Sequence, residues 1–167
     1  MVMTKEIECR AARSKDAKDM ITVQFKAVQS ISKEDYAKQV LSAWSPKPNS
    51  QRIQWWADYI KNDNVRCYVA TNENSKVLGV GVYLIAEQSI KSLYVDPKHS
   101  GKGIGSRLLK RMERFADRKD ADKLKLKASL NSISFYKNMG YKKIKEAKQI
   151  LSNGSTMDAM SMEKAIN

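Results

Sequence analysis

SIKSLYVDPKHSGKGIGSRLLKRM, residues 89–112, carries the pattern that decides the fold. Ile90 to Val95 reads as an extended run that stops at Asp96-Pro97. A short basic loop with Gly101, Gly103 and Gly105 follows and opens into a helix. Ile104, Leu108, Leu109, Met112, Phe115 and Ala116 recur there every three to four residues. Such a junction aims several unpaired backbone N–H groups, and the positive end of the helix dipole, at whatever sits in the loop. Glycine removes the Cβ, so an anionic group such as a phosphate can approach the backbone closely. A tight strand-to-helix turn is the plainer reading of the same glycines. The chain has no GxxxxGKS/T phosphate loop, and Gly101-Lys102-Gly103-Ile104-Gly105 lacks the GxGxxG spacing of a dinucleotide fold.

Upstream, Glu6 to Ala12 reads as a strand, and Ser14-Lys15-Asp16-Ala17 as the capped start of a helix reaching about Ser30. Ser32-Lys33-Glu34-Asp35 repeats the capping signal before a helix over 36–44. Pro46 and Pro48 end it, and Ser50 caps a third helix over 51–61. Strands at 65–70 and 77–86 flank a turn at Asn72-Glu73-Asn74-Ser75. Downstream, the long helix ends near Lys119-Asp120 and 124–128 is a strand. Residues 129–138 form a short helix closed by Gly140. Residues 141–150 and 157–164 make an antiparallel pair that turns at Ser152-Asn153-Gly154. No repeat or linker divides the chain, so residues 1–167 are expected to form a single domain.

The segment SLYVDPKHSGKGIGSRLL closely resembles the coenzyme-A loop of the GNAT N-acetyltransferases. In that loop a Gln or Arg is followed three residues later by Gly, and then by a second Gly or Ala. Gly103 and Gly105 match the glycines, and Ser100 stands where Gln or Arg is usual. ASLNSISFYKNMGY, 128–141, is similar to a second family signature, NxxAxxFYxxxGF, with Ser129 at the Asn position and Ser132 at the Ala position. The order of elements also follows the family layout, so the resemblance spans the chain. It implies an α/β (α+β) GNAT fold, a central mixed and mostly antiparallel twisted sheet of about seven strands flanked by four to five helices. It also implies an acetyl-CoA-dependent N-acetyltransferase. Acetyl would pass to a primary amine of a small molecule or protein by direct transfer in a ternary complex.

The resemblance assigns the site residue by residue. Ser100, Gly101, Lys102, Gly103, Ile104, Gly105 and Ser106 would hold the pyrophosphate, chiefly through backbone N–H groups. The backbone of Tyr94 and Val95 would line the pantetheine arm in a splayed gap before 124–128, with Ser129 also on the coenzyme. The Val95 N–H would polarise the thioester carbonyl. Tyr136 matches the tyrosine that protonates the departing thiolate, and a phenol of ordinary pKa near 10 keeps its proton at neutral pH. The strand position where some members carry a glutamate base is Ser89 here. Glu87, two residues earlier, is either a base acting through water or a solvated turn carboxylate. His99, the one histidine, belongs to the loop approach rather than to the acceptor side. Tyr36, Trp44, Trp55 and Trp56 fall where the family builds its acceptor site, either as an aromatic pocket or as core packing. Of Trp55 and Trp56, one should face the core and the other the surface.

Charge is uneven. Residues 91–150 hold 17 Lys or Arg against 6 Asp or Glu, a surplus of +11 out of the chain's +13. Coenzyme A and nucleic acid are both polyanions that would suit such a field. Lys123, Lys125 and Lys127, alternating with Leu124 and Leu126, read instead as the solvated face of an edge-side strand. No nucleic-acid recognition motif is present, so no nucleic-acid partner is expected. A non-catalytic acyl-CoA sensor on the same fold is the alternative to an enzyme. Cys9 and Cys67 are isolated and read as reduced, buried thiols, with no metal-ligand spacing. No apolar run reaches a membrane span, and MVMTKEIECRAARSKD lacks the core of a signal peptide, so no membrane partner and a cytoplasmic location are expected. A homodimer is common for this fold.

Overall fold

The computed structural model describes residues 6–166; the first five residues of the stretch read for a leader lie outside them. Among these residues, seven strands form one sheet flanked by five α-helices. In chain order these are β1 (Glu8–Ala11), α1 (Ala17–Gln29), α2 (Lys38–Trp44), α3 (Ser50–Tyr59), β2 (Val65–Thr71), β3 (Val77–Leu84) and β4 (Ser89–Val95), followed by α4 (Ile104–Arg118), β5 (Lys123–Ser129), α5 (Ile133–Asn138), β6 (Lys142–Ile150) and β7 (Thr156–Ala165). The strand order is β1-β2-β3-β4-β5-β7-β6. Every pairing is antiparallel except β4–β5, which is parallel.

Two apolar layers clamp the sheet. Ile104, Leu108, Leu109, Met112 and Phe115 of α4 pack with Leu124, Leu126 and Ala128 of β5 on one face. This is the α4 stripe that the sequence periodicity predicts. On the other face, Met20, Ile21 and Val23 of α1 and Trp56 of α3 cover Cys67, Val69, Val80 and Val82. Trp56 is 5% exposed and Trp55 53%, the division expected from helical spacing. α4 comes so close to β3 that a Cβ on Gly79 would lie 2.8 Å from both Ile104 Cγ2 and Leu108 Cδ1.

Three local expectations are corrected. Residues 32–36 fold as turns, not as the first turn of α2. Ser32 Oγ accepts from the Glu34 N–H at 3.1 Å, and α2 starts only at Lys38. Asn49, not Ser50, caps α3, its Oδ1 accepting from the Arg52 N–H at 2.9 Å. Ser129 ends β5 in extended conformation, so a 3-10 turn (Leu130–Ser132) precedes a shorter α5.

Candidate active site

β4 and β5 pair only at Ser89↔Lys125 and Ile90↔Leu126. Beyond Ile90 they part. A register shift leaves Lys91 as an extra residue, because Ile90 faces Tyr83 while Ser92 faces Val82. The parting opens a cleft of about 990 Å3. Its walls are β4 from Ser89 to Val95, β5 from Lys125 to Ser129, Gln24 and Ala27 of α1, Trp44 of α2, Tyr136 of α5 and parts of β6 and β7.

Strand geometry decides which backbone groups face this gap. The Asp96 N–H donates to Leu78 O on β3 at 2.8 Å. Successive N–H groups of a strand point to opposite edges, so the Val95 N–H points away from β3, into the cleft. At the C-terminal end of β4, Asp96 is buried and its Oδ1 accepts from the Lys98 N–H at 3.0 Å, closing a 3-10 turn that contains His99. Gly101 and Gly103 then take φ of +76° and +80°, the left-handed region that favours glycine. A Cβ at either would have no protein atom within 4 Å, so both glycines border open space. Gly103 is the N-cap of α4 and offers no side-chain cap. The first intrahelical bond runs from the Arg107 N–H to Gly103 O, leaving the N–H groups of Ile104, Gly105 and Ser106 without helical partners. Gly105 lies against Phe135 and Val95, where an added Cβ would sit 3.4 Å from the ring. This cradle of donors with room before it fits a pyrophosphate. Lys102 is exposed beside it. The Ser100 hydroxyl lines the cleft but donates inward to Pro97 O at 3.0 Å.

Tyr136 lines the same cleft and is 6% exposed, held edge-on between Phe135 and Tyr141 at centroid distances of 5.1 and 5.6 Å. Burial, with Tyr94 nearby, pushes its phenol well above the ordinary value, so it is protonated at neutral pH. Ser129 also borders the cleft, its Oγ 2.9 Å from Ser132 Oγ.

The structure thus brings together the loop, Val95, Ser129 and Tyr136, and leaves Glu87 out. Glu87 lies in the exposed turn between β3 and β4 and accepts from Asn64 Nδ2 at 3.1 Å. Ser89 is at the cleft wall. Trp44, one of the aromatics expected on the acceptor side, stands at the cleft wall, and what the sequence reading missed is its partner, the Tyr94 side chain. Trp44 Nε1 donates to the Tyr94 hydroxyl at 3.0 Å, and both side chains line the cleft. Tyr36 ties this wall to the sheet, accepting from the Leu130 N–H at 2.8 Å and donating to Asp158 O at 2.5 Å. The place of β5 in the sheet is corrected. Its lysine face is exposed, as read, but β5 is an interior strand between β4 and β7 rather than an edge-side one, and Lys125 and Lys127 border the cleft.

The acetyltransferase (GNAT) domain family model matches residues 32–164, and the chain belongs to that family. A GCN5-related N-acetyltransferase from Rhodopseudomonas palustris superposes with a TM-score of 0.84, at 22% identity over 99% of this chain and 98% of that one. PaiA N-acetyltransferase from Thermoplasma acidophilum, solved with coenzyme A, gives 0.75 at 20% identity over 96% and 99%. The uncharacterised N-acetyltransferase YafP of Escherichia coli (strain K12) is 24% identical over 140 residues, 84% of each chain. The match to YdhI of Bacillus subtilis (strain 168), 29% identical over 82 residues, spans 47% of this chain and about half, 51%, of that protein.

Proposed function

We propose that this protein is an acetyl-CoA-dependent N-acetyltransferase that moves acetyl directly to a primary amine. The observation that supports the proposal is that Val95, with its outward N–H, and the buried Tyr136 line one cleft, with Ser100 at its edge and Gly105 of the glycine loop packed against Val95. Acetyl-CoA supplies a thioester already activated toward amines. The N–H groups of residues 103–106 hold the phosphates, and the Val95 N–H donates to the thioester oxygen as negative charge develops there. Attack forms the C–N bond and breaks the C–S bond, and Tyr136 gives its proton to the departing sulfur. The product nitrogen releases a proton to solvent, from which the phenolate is restored. No role is given to Glu87. The acceptor reacts as the free amine, its proton lost to solvent before attack.

Thermal unfolding with excess acetyl-CoA tests the binding half. At about a hundred times the dissociation constant a ligand adds roughly 2.7 kcal/mol to the native state. That shift should vanish in Gly103→Val. Thiol release across an amine panel tests the transfer half. An unchanged midpoint at saturating acetyl-CoA would refute the reading. A shift without turnover would leave the non-catalytic sensor in its place.

A further inference from the structure

The cleft has a second end, and its charge is not accounted for by the coenzyme. Four lysines, Lys91, Lys125, Lys127 and Lys145, stand in its wall against one acid, Glu163. Cross-strand register explains the grouping: Lys125 lies opposite Glu163, Lys127 opposite Ser161, and Ser161 opposite Lys145, so these side chains share one face of the sheet. Glu163 is already paired, with Lys123 at 3.2 Å. Among the described residues, none of the ion pairs involves any of the four cleft lysines. Two are nevertheless held in place. Lys91 Nζ donates to the Tyr59 hydroxyl at 3.2 Å and lies 4.8 Å from that ring's centroid, and Lys127 Nζ donates to Lys148 O at 3.0 Å.

These charges are remote from the phosphate cradle. Lys125 sits where β4 and β5 still pair, at the opposite end of β4 from Val95 and the loop. From Lys91 to Val95 the strand covers roughly 13 Å, at about 3.3 Å per residue. A cationic acceptor such as a polyamine would bring like charge to four lysines that, among the described residues, have no ion-pair partner, and like charges at short range repel. An anionic group would be attracted there, with its amine directed up the cleft.

We infer that the acceptor is a small primary amine that also bears a carboxylate or a phosphoryl group, which Lys91, Lys125 and Lys145 receive at the end of the cleft away from the coenzyme phosphates. The inference rests on the transferase reading above. Thiol release from acetyl-CoA is measured for amino acids and aminoalkyl phosphonates, each beside its uncharged amide or ester and a diamine of equal length. The best anionic amine should exceed its uncharged and dicationic counterparts in kcat/KM by at least about tenfold. Lys125→Glu, and separately Lys145→Glu, should lower that ratio by about tenfold or more. The ratio is taken within one protein preparation, so active fraction cancels. Both side chains are exposed, and an unchanged thermal midpoint checks the fold. Equal or better turnover of diamines, or a ratio unmoved by either reversal, would overturn the anionic acceptor while leaving the transferase standing. Acetyl-CoA binding with no thiol release from any amine would overturn the transferase and the inference together.

Discussion

Tyr136→Phe removes one oxygen atom and keeps the ring that packs between Phe135 and Tyr141. Its effect therefore isolates proton donation from packing. If the phenol protonates the thiolate, losing it forfeits a general acid, about 10²- to 10⁴-fold in kcat. That is roughly 2.7 to 5.4 kcal/mol at 1.36 per tenfold. The loss should fall on kcat with acceptor KM little changed, since the group acts only as the C–S bond breaks. Stability should move by less than about 1 kcal/mol, because the substitution leaves no cavity larger than a hydroxyl. Acetyl-CoA should still raise the thermal midpoint. Burial lifts the phenol's pKa, and the acid form predominates below a group's pKa. Wild-type kcat should accordingly show no alkaline loss from this group up to about pH 10, the ordinary tyrosine value. Thiol-release kinetics, coenzyme titration and thermal unfolding on both proteins decide the matter. A kcat within about threefold of wild type would refute proton donation by Tyr136, and a loss that merely tracks weakened coenzyme binding would do the same.

Three further outcomes follow from other parts of the molecule. Burial alone would raise the Asp16 carboxyl, but the paired Arg10 guanidinium (2.8 and 3.0 Å) and the Arg13 N–H (2.7 Å) outweigh it and hold it below the usual range. A depressed folded value stabilises above the unfolded value near 3.9 and is lost as pH falls through the folded one. Asp16→Asn should thus cost about 3 kcal/mol in urea unfolding at pH 7, and the gap to wild type should close toward pH 2. Gly79→Ala forces a methyl against Ile104 and Leu108 and should cost about 1–3 kcal/mol, yet leave the coenzyme-induced midpoint shift in place. Burial pushes the Cys67 thiol up to about 12, so at pH 8 only about one in ten thousand native molecules carries the thiolate. Ellman-type titration should find Cys67 silent in the native state and reactive in denaturant.

The glycine loop was legible because its signals are local: left-handed glycines and a three-to-four apolar repeat both lie within the residues they shape. What escaped the reading is long-range. Tyr36 looks like the first residue of an amphipathic helix, but its hydroxyl is committed to Leu130 and Asp158, far along the chain. The β5 alternation was correctly seen as a strand with one apolar face. Its lysine face is solvated as read, but the strand is not edge-side, because β7, the last strand in sequence, inserts between β5 and β6, and no local pattern announces an insertion of that kind. The Asn49 cap differs by one residue from the expected Ser50, since both types satisfy the same donors. Of the two readings open to Glu87, the structure places it as the solvated turn carboxylate, because β4 begins only at Ser89.

A sheet that parts in the middle has inner rims as well as outer ones. The outer rims follow the usual defences: β1 is only four residues long, and β6 carries Lys142, Lys143, Lys145 and Lys148. The inner rims of β4 and β5 part beyond Ile90 and face the cleft instead of each other's hydrogen bonds. β4 therefore behaves as two strands in one. Amides turned toward β3, such as that of Asp96 just past its end, are locked, while the neighbouring Val95 amide faces the cleft. Hydrogen exchange from Ser92 to Asp96, past the bulge, should alternate residue by residue in the free protein, and the alternation should disappear when acetyl-CoA fills the cleft.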